Sequence, residues 1–164
     1  MEYSDPVMAS GKMGRVLVVD DVAVVRRSIR MILTDAGYEV VEAEDGEQAS
    51  AILQASGNPH PVDAILSDLR MPQVNGVELI AYFRIRYPAI PVVMLTSYSD
   101  VELAVALMRN GAMDFLLKPV MQGELLEVIG RAVAQDTAQH EQVISYKELR
   151  HKGENVLGKS AGGG

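Results

Sequence analysis

From Arg15 onward, short runs of branched aliphatic residues alternate with longer stretches in which apolar positions recur every three or four residues. The short runs are apolar throughout, so they read as strands buried on both faces. The longer stretches read as helices that cover them. Such alternation is the pattern of a parallel sheet with crossover helices. RVLVV (Arg15 to Val19) is the first strand, and a helix follows from near Val22 to Ala36, with Gly37 placed to stop it. YEVVEA (Tyr38 to Ala43) is the second strand, Gly46 to Gln54 the second helix, and SGNPHP a loop by its turn chemistry. VDAILS (Val62 to Ser67) supplies the third strand, DLRMPQVNG a long loop, and Val77 to Arg86 the third helix. PVVMLTS (Pro91 to Ser97) is the fourth strand, followed by a helix from about Asp100 to Asn110 that Gly111 ends. DFLLKP (Asp114 to Pro119) is the fifth strand, and the last helix runs from Gly123 to about Gln139. In that helix Leu125, Val128, Ile129, Ala132 and Val133 form one sheet-facing stripe.

The fold class this predicts is α/β, a doubly wound parallel sheet of five strands. Residues 1–14 form an N-terminal tail, 15–139 one domain, and 140–164 a helical linker and disordered tail. Within the linker Val143, Tyr146 and Leu149 prolong a helical pattern, as a pairing helix or as trailing coil. At 164 residues the chain has room for one well-cored domain, and 48% apolar with 23% charged residues is the balance of a globular protein. No apolar run reaches membrane-spanning length, and MEYSDPVMASGKMGR lacks the apolar stretch of a secretory signal, so the expected location is cytoplasmic. Cysteine is absent, which excludes disulfides and thiolate metal sites. A net charge of -7 without a dense basic cluster argues against direct nucleic-acid binding. Arg26, Arg27 and Arg30 read as a solvated face or a protein-docking patch.

In an open parallel α/β sheet, ligands bind beyond the carboxyl ends of the strands. Asp20 and Asp21 stand there after the first strand, Asp68 after the third, Thr96 and Ser97 after the fourth and Lys118 after the fifth; Glu42 and Glu44 near the second are less distinctive. Three neighbouring carboxylates repel one another, and a divalent cation relieves the conflict. An all-oxygen donor set favours a hard ion such as Mg²⁺. Lys118 balances the acids from the other side, pairing with Asp68 at rest and with a phosphoryl oxygen later, while Thr96 can donate to another oxygen. Such groups would neutralise a phosphoryl group while Asp68 attacks it. Singly, each residue has a plainer reading. Asp20 or Asp21 would be a helix N-cap, Asp68 an Asx-turn, Thr96 a cap and Lys118 a solvated charge. Jointly, an acid pair, an acid, a hydroxyl and a lysine at four strand ends are not explained that way.

VLVVDD, SDLRMPQVNG, VVMLTSYS and GAMDFLLKP together resemble the response-regulator receiver domain, the phosphoacceptor module of two-component signalling, over about Arg15 to Ala134. The resemblance implies a flavodoxin-like sheet of order 2-1-3-4-5 and Mg²⁺ as cofactor. By the same resemblance, Asp68 is the phosphorylated residue. Asp20, Asp21, Asp68 and the Arg70 carbonyl are metal ligands. Thr96 is the switch hydroxyl, Lys118 the phosphoryl-contacting lysine with a cis bond to Pro119, and Phe115 the aromatic switch. When Thr96 moves toward the phosphoryl group, the space it leaves admits Phe115. The implied partners are a sensor histidine kinase or phosphotransfer protein, and a second copy through the face of the fourth helix, fifth strand and fifth helix. Arg70 and Tyr98 hold positions that tune the lifetime of the phosphoryl group. Met108, Met113 and Val105 near that face read as core packing rather than partner contacts.

The rival enzyme is a haloacid-dehalogenase-like Mg²⁺-dependent phosphohydrolase. It places its nucleophile after the first strand with a second Asp two residues on, whereas here Asp20 and Asp21 are followed by Val22. Near the end of the chain, GENVLGKS (Gly153 to Ser160) fits the spacing of a phosphate-binding loop, but charged YKELRHK precedes it and only AGGG follows. It therefore lacks the strand and helix that such a loop needs. DFLLKP together with ENVLGKS resembles receivers that precede a sigma-54-type ATPase module, which implies a longer transcriptional regulator.

Overall fold

The computed structural model describes residues 13–58, 60–71, 74–134 and 147–150. The strands are β1 (Arg15–Val19), β2 (Glu39–Ala43), β3 (Ala64–Asp68), β4 (Val92–Thr96) and β5 (Asp114–Leu117), all paired in parallel in the order β2-β1-β3-β4-β5. The helices are α1 (Ala23–Asp35), α2 (Gly46–Ala55), α3 (Gly76–Arg86), α4 (Val101–Arg109) and α5 (Gln122–Val133). The strand order is the one that the resemblance implied. Because the chain winds from β1 outward to β2 and then back past β1 to β3, a crevice opens between the ends of β1 and β3.

The double-sided apolar character of the strands has a direct structural cause. Side chains alternate along a strand, so each strand feeds two cores. Leu17, Val19, Ile65, Val92 and Met94 pack with Leu53, Phe83 and Met108 on one face. Val16, Val18, Leu66, Val93 and Leu95 pack with Ile29, Leu33, Leu125 and Ile129 on the other. Met108, Met113 and Val105 are buried, as expected of core residues. Gly37 closes α1 at a positive φ of 102° and Gly111 follows α4 at 113°, where a side chain would be strained.

The structure departs from the sequence reading in two local places. DLRMPQVNG, read as a loop, contains a short antiparallel pairing of Arg70–Met71 with Val74–Asn75. A single-turn 3₁₀ helix, Tyr98–Asp100, precedes α4, so that helix proper begins at Val101. Within the expected linker, Lys147 to Arg150 are helical. Residues 135–139 of the expected last helix, Val143, Tyr146, GENVLGKS and the terminal tails lie outside the described residues. No helix among the described residues is long and apolar enough to cross a membrane.

Gly76 fixes how closely α3 approaches the end of β3. A Cβ there would lie 1.8 Å from the Leu69 carbonyl oxygen and 2.7 Å from its carbon, both backbone atoms that cannot swing aside. Gly76→Ala is therefore expected to cost about 1–3 kcal/mol or more through forced displacement and to shift the residues around Asp68. Thermal unfolding checks this; an unchanged Tm would mean that α3 stands farther from Leu69.

Candidate functional site

The ends of the central strands lie level. Asp68 is in register with Leu95, Thr96 with Leu117, and the Lys118 amide donates to the Thr96 carbonyl at 2.9 Å. The five residues that the sequence reading singled out, Asp20, Asp21, Asp68, Thr96 and Lys118, thus sit at one edge of the sheet. Asp20, Asp68 and Thr96 are buried, whereas Asp21 is exposed. Carboxylate oxygens of Asp20, Asp21 and Asp68 lie within 4.8 Å of one another.

Lys118 bridges the two buried acids. Its Nζ donates to Asp68 Oδ2 at 2.9 Å and stands 3.0 Å from Asp20 Oδ2. The second contact is close but misdirected, so Asp20 Oδ2 is buried without a hydrogen bond. The outer oxygens are held by backbone: Asp20 Oδ1 accepts from the Val22 amide at 2.9 Å, and Asp68 Oδ1 from the Arg70 amide at 3.1 Å. Asp20 therefore braces the start of α1, although the cap position itself belongs to Val22. One ammonium facing three carboxylates leaves an excess of negative charge. An all-oxygen cluster with one orphaned buried oxygen fits a hard divalent cation.

Burial pushes the Asp68 carboxyl above its ordinary pKa and Asp20 adds to the rise, while Lys118 and the Arg70 amide oppose it. The native state then holds that proton more tightly than the unfolded chain does. Its contribution to stability is complete below the ordinary carboxyl range and is lost as pH rises through the raised value. For Lys118, burial favours the neutral amine, but pairing with the negative charges of Asp68 and Asp20 outweighs it, and its pKa is raised. That contribution is complete below the ordinary lysine range and is lost as pH rises through the raised value.

The Thr96 hydroxyl donates to the Ser97 carbonyl at 3.2 Å. Phe115 pairs with Met94 in the ladder and is only 4% exposed, so its ring already lies within the core, where the sequence reading had it enter on switching. The Lys118-Pro119 bond is cis, as the resemblance implied.

Three features escaped the sequence reading. Arg70 grips Asp100 in a two-pronged ion pair at 3.0 and 2.9 Å, tying the segment after β3 to the segment after β4. Glu42, read as undistinctive, is held by Arg26 at 3.1 Å and Arg30 at 2.8 Å, so two of the three clustered arginines are tied to β2. Asp114, wholly buried, accepts from the Phe115 amide and Arg131 at 2.7 Å each and faces Lys147 at 2.9 Å.

Fold and site together define a class: a doubly wound α/β domain with a cation-ready acid cluster and a lysine at the crevice between β1 and β3. The response regulator receiver domain matches residues 16–130, and the chain belongs to that family. It is 39% identical over 116 residues to the alginate biosynthesis transcriptional regulatory protein AlgB of Pseudomonas aeruginosa, covering 71% of this chain and 25% of that protein. It is 36% identical over 121 residues to the DNA-binding transcriptional regulator NtrC of Salmonella typhimurium, covering 74% and 25%. Among solved structures, a response regulator receiver domain protein from Clostridium thermocellum superposes with a TM-score of 0.70 at 26% identity, covering 77% of this chain and 98% of that one. The chemotaxis response regulator CheY4 of Vibrio cholerae gives 0.60 at 35% identity, covering 74% and 99%. The chain spans about a quarter of the length of these curated regulators. It is a signalling domain of the two-component type rather than a metabolic enzyme, and the phosphohydrolase alternative finds no support.

Proposed function

We propose that Asp68 is the phosphoacceptor and that this chain carries it as residues 15–139 of a longer cytoplasmic transcriptional regulator of the sigma-54-dependent type. The observation that carries this reading is the pairing of Lys118 with both Asp68 and Asp20 in a buried crevice at the strand ends. The donor is a phosphohistidine on a sensor histidine kinase or phosphotransfer protein. An Asp68 oxygen attacks phosphorus, the P–N bond breaks, the imidazole leaves and an acyl phosphate forms. Lys118 turns from the carboxylate to a phosphoryl oxygen, and the Thr96 hydroxyl leaves the Ser97 carbonyl to donate to another. Asp20, Asp21, Asp68 and the Arg70 carbonyl would hold Mg²⁺, which neutralises charge developing on the transferred group. Water later attacks phosphorus, the P–O bond to Asp68 breaks, inorganic phosphate leaves and the carboxylate is restored, so the domain catalyses both its loading and its unloading.

The output is a change in the surface of α4, β5 and α5, with Thr96 and Phe115 as switch residues, and a second copy of the chain is the partner proposed for that surface. A shift of this kind needs only a few kcal/mol, about what one or two charge-assisted hydrogen bonds supply. Beryllofluoride with Mg²⁺, a stand-in for the acyl phosphate, is expected to bind one site per chain; absence of binding would overturn the reading. Mg²⁺ alone is expected to stabilise the fold, by about 2.7 kcal/mol at a hundredfold excess over its Kd. Asp21→Ala, which removes an exposed ligand without burdening the core, is expected to lose most of that gain. Thermal unfolding with Mg²⁺ and with chelator checks it, and an undiminished gain in the variant would contradict the role of Asp21.

A further inference from the structure

Lys147 packs against the domain. Lys147 Nζ donates to the Phe115 carbonyl at 2.6 Å, lies 2.9 Å from Asp114 Oδ1 and sits 4.1 Å above the centre of the Phe115 ring. One residue on, Glu148 pairs with Arg109 at the end of α4. The two contacts bridge α4 and β5, and Arg131 of α5 shares the same buried Asp114. Lys147 is well seated, with only 21% of its side chain exposed. A buried carboxylate, a carbonyl and an aromatic face satisfy one ammonium from three sides, a combination that binds cations strongly away from water.

We propose that Lys147 to Arg150 form a strap that occupies the α4-β5-α5 surface in the unphosphorylated chain and leaves it when Asp68 is loaded. The release step rests on the assignment of Asp68 and Lys118 above. β5 mechanically joins the two places: Phe115 and Asp114 make the seat, and Lys118, three residues on, holds the acids. When Lys118 turns to a phosphoryl group, β5 and the Phe115 ring shift beneath a seat fitted to the resting arrangement. The coupling is reciprocal, so a loosened strap also favours the loaded state. Strap and docking partner cover the same surface and exclude each other.

The absence of cysteine allows a unique spin label at Leu149→Cys, a position 70% exposed. In the unloaded labelled chain, the label is expected to broaden the amide resonances of Arg109 and Asp114 to Phe115. Adding Lys147→Ala is expected to remove most of the broadening, and beryllofluoride with Mg²⁺ to reduce it severalfold. No broadening in the unloaded chain would overturn the strap, and broadening that persists with beryllofluoride bound would overturn its release. Binding is read separately from the amide shifts around Asp68. If those shifts never appear, the phosphoacceptor assignment and the release step built on it both fail, and the unloaded spectra still decide whether the strap exists.

Discussion

Asp68→Asn is expected to abolish uptake of a phosphoryl group from acetyl phosphate, reducing it by several orders of magnitude, as loss of a nucleophile does. The amide has the shape of the carboxylate but lacks its nucleophilic oxygen. Its carbonyl oxygen can still accept from the Arg70 amide, and Lys118 retains Asp20. Repulsion among the acids falls, so the metal-free variant is expected to unfold at the same temperature as the parent or higher. Loss of phosphorylation together with undiminished stability separates a chemical role from a structural one. A variant that still takes up phosphate at the parent rate would remove Asp68 from the mechanism.

Lys118→Ala is expected to have two effects that Mg²⁺ tells apart. Without metal, Asp20 and Asp68 face each other in a buried crevice with no lysine between them, and breaking such a pair costs about 3–5 kcal/mol. Mg²⁺ supplies positive charge to the same acids and is expected to restore most of that stability. It cannot replace a donor aimed at the phosphoryl group. The rate of phosphorylation by acetyl phosphate is therefore expected to stay about 100- to 1,000-fold low, the usual cost of losing one such donor. Unfolding curves with Mg²⁺ and with chelator, set beside initial rates, check both effects. A normal rate with a normal conformational response would contradict the role of Lys118.

Sequence alone is informative here where local chemistry and long-range geometry coincide. Val16 to Val19 can only be a strand covered on both faces, and Gly37 and Gly111 mark helix ends because they alone tolerate the backbone there. Once the strands are placed, the carboxyl-end rule puts Asp20, Asp68, Thr96 and Lys118 together. The features that were missed depend on pairings across the chain which no local pattern encodes. Asp100 is an ordinary acid until the loop after β4 brings it to Arg70. Asp114 reads as the polar start of a strand until Arg131 and Lys147 converge on it. Gly76 looks like a turn residue, yet its constraint is the Leu69 carbonyl, visible only when α3 is docked. The Lys147 contact was illegible for a further reason: besides Asp114, its partners are the Phe115 carbonyl and ring, neither of which leaves a charge pattern in the sequence.

The most direct test is to locate the phosphoryl group. The chain is incubated with acetyl phosphate and Mg²⁺, digested at low pH and mapped by mass spectrometry. One adduct is expected, on the peptide containing Asp68, dependent on Mg²⁺ and absent from Asp68→Asn. An adduct on another residue, or one that persists unchanged in that variant, would contradict the assignment.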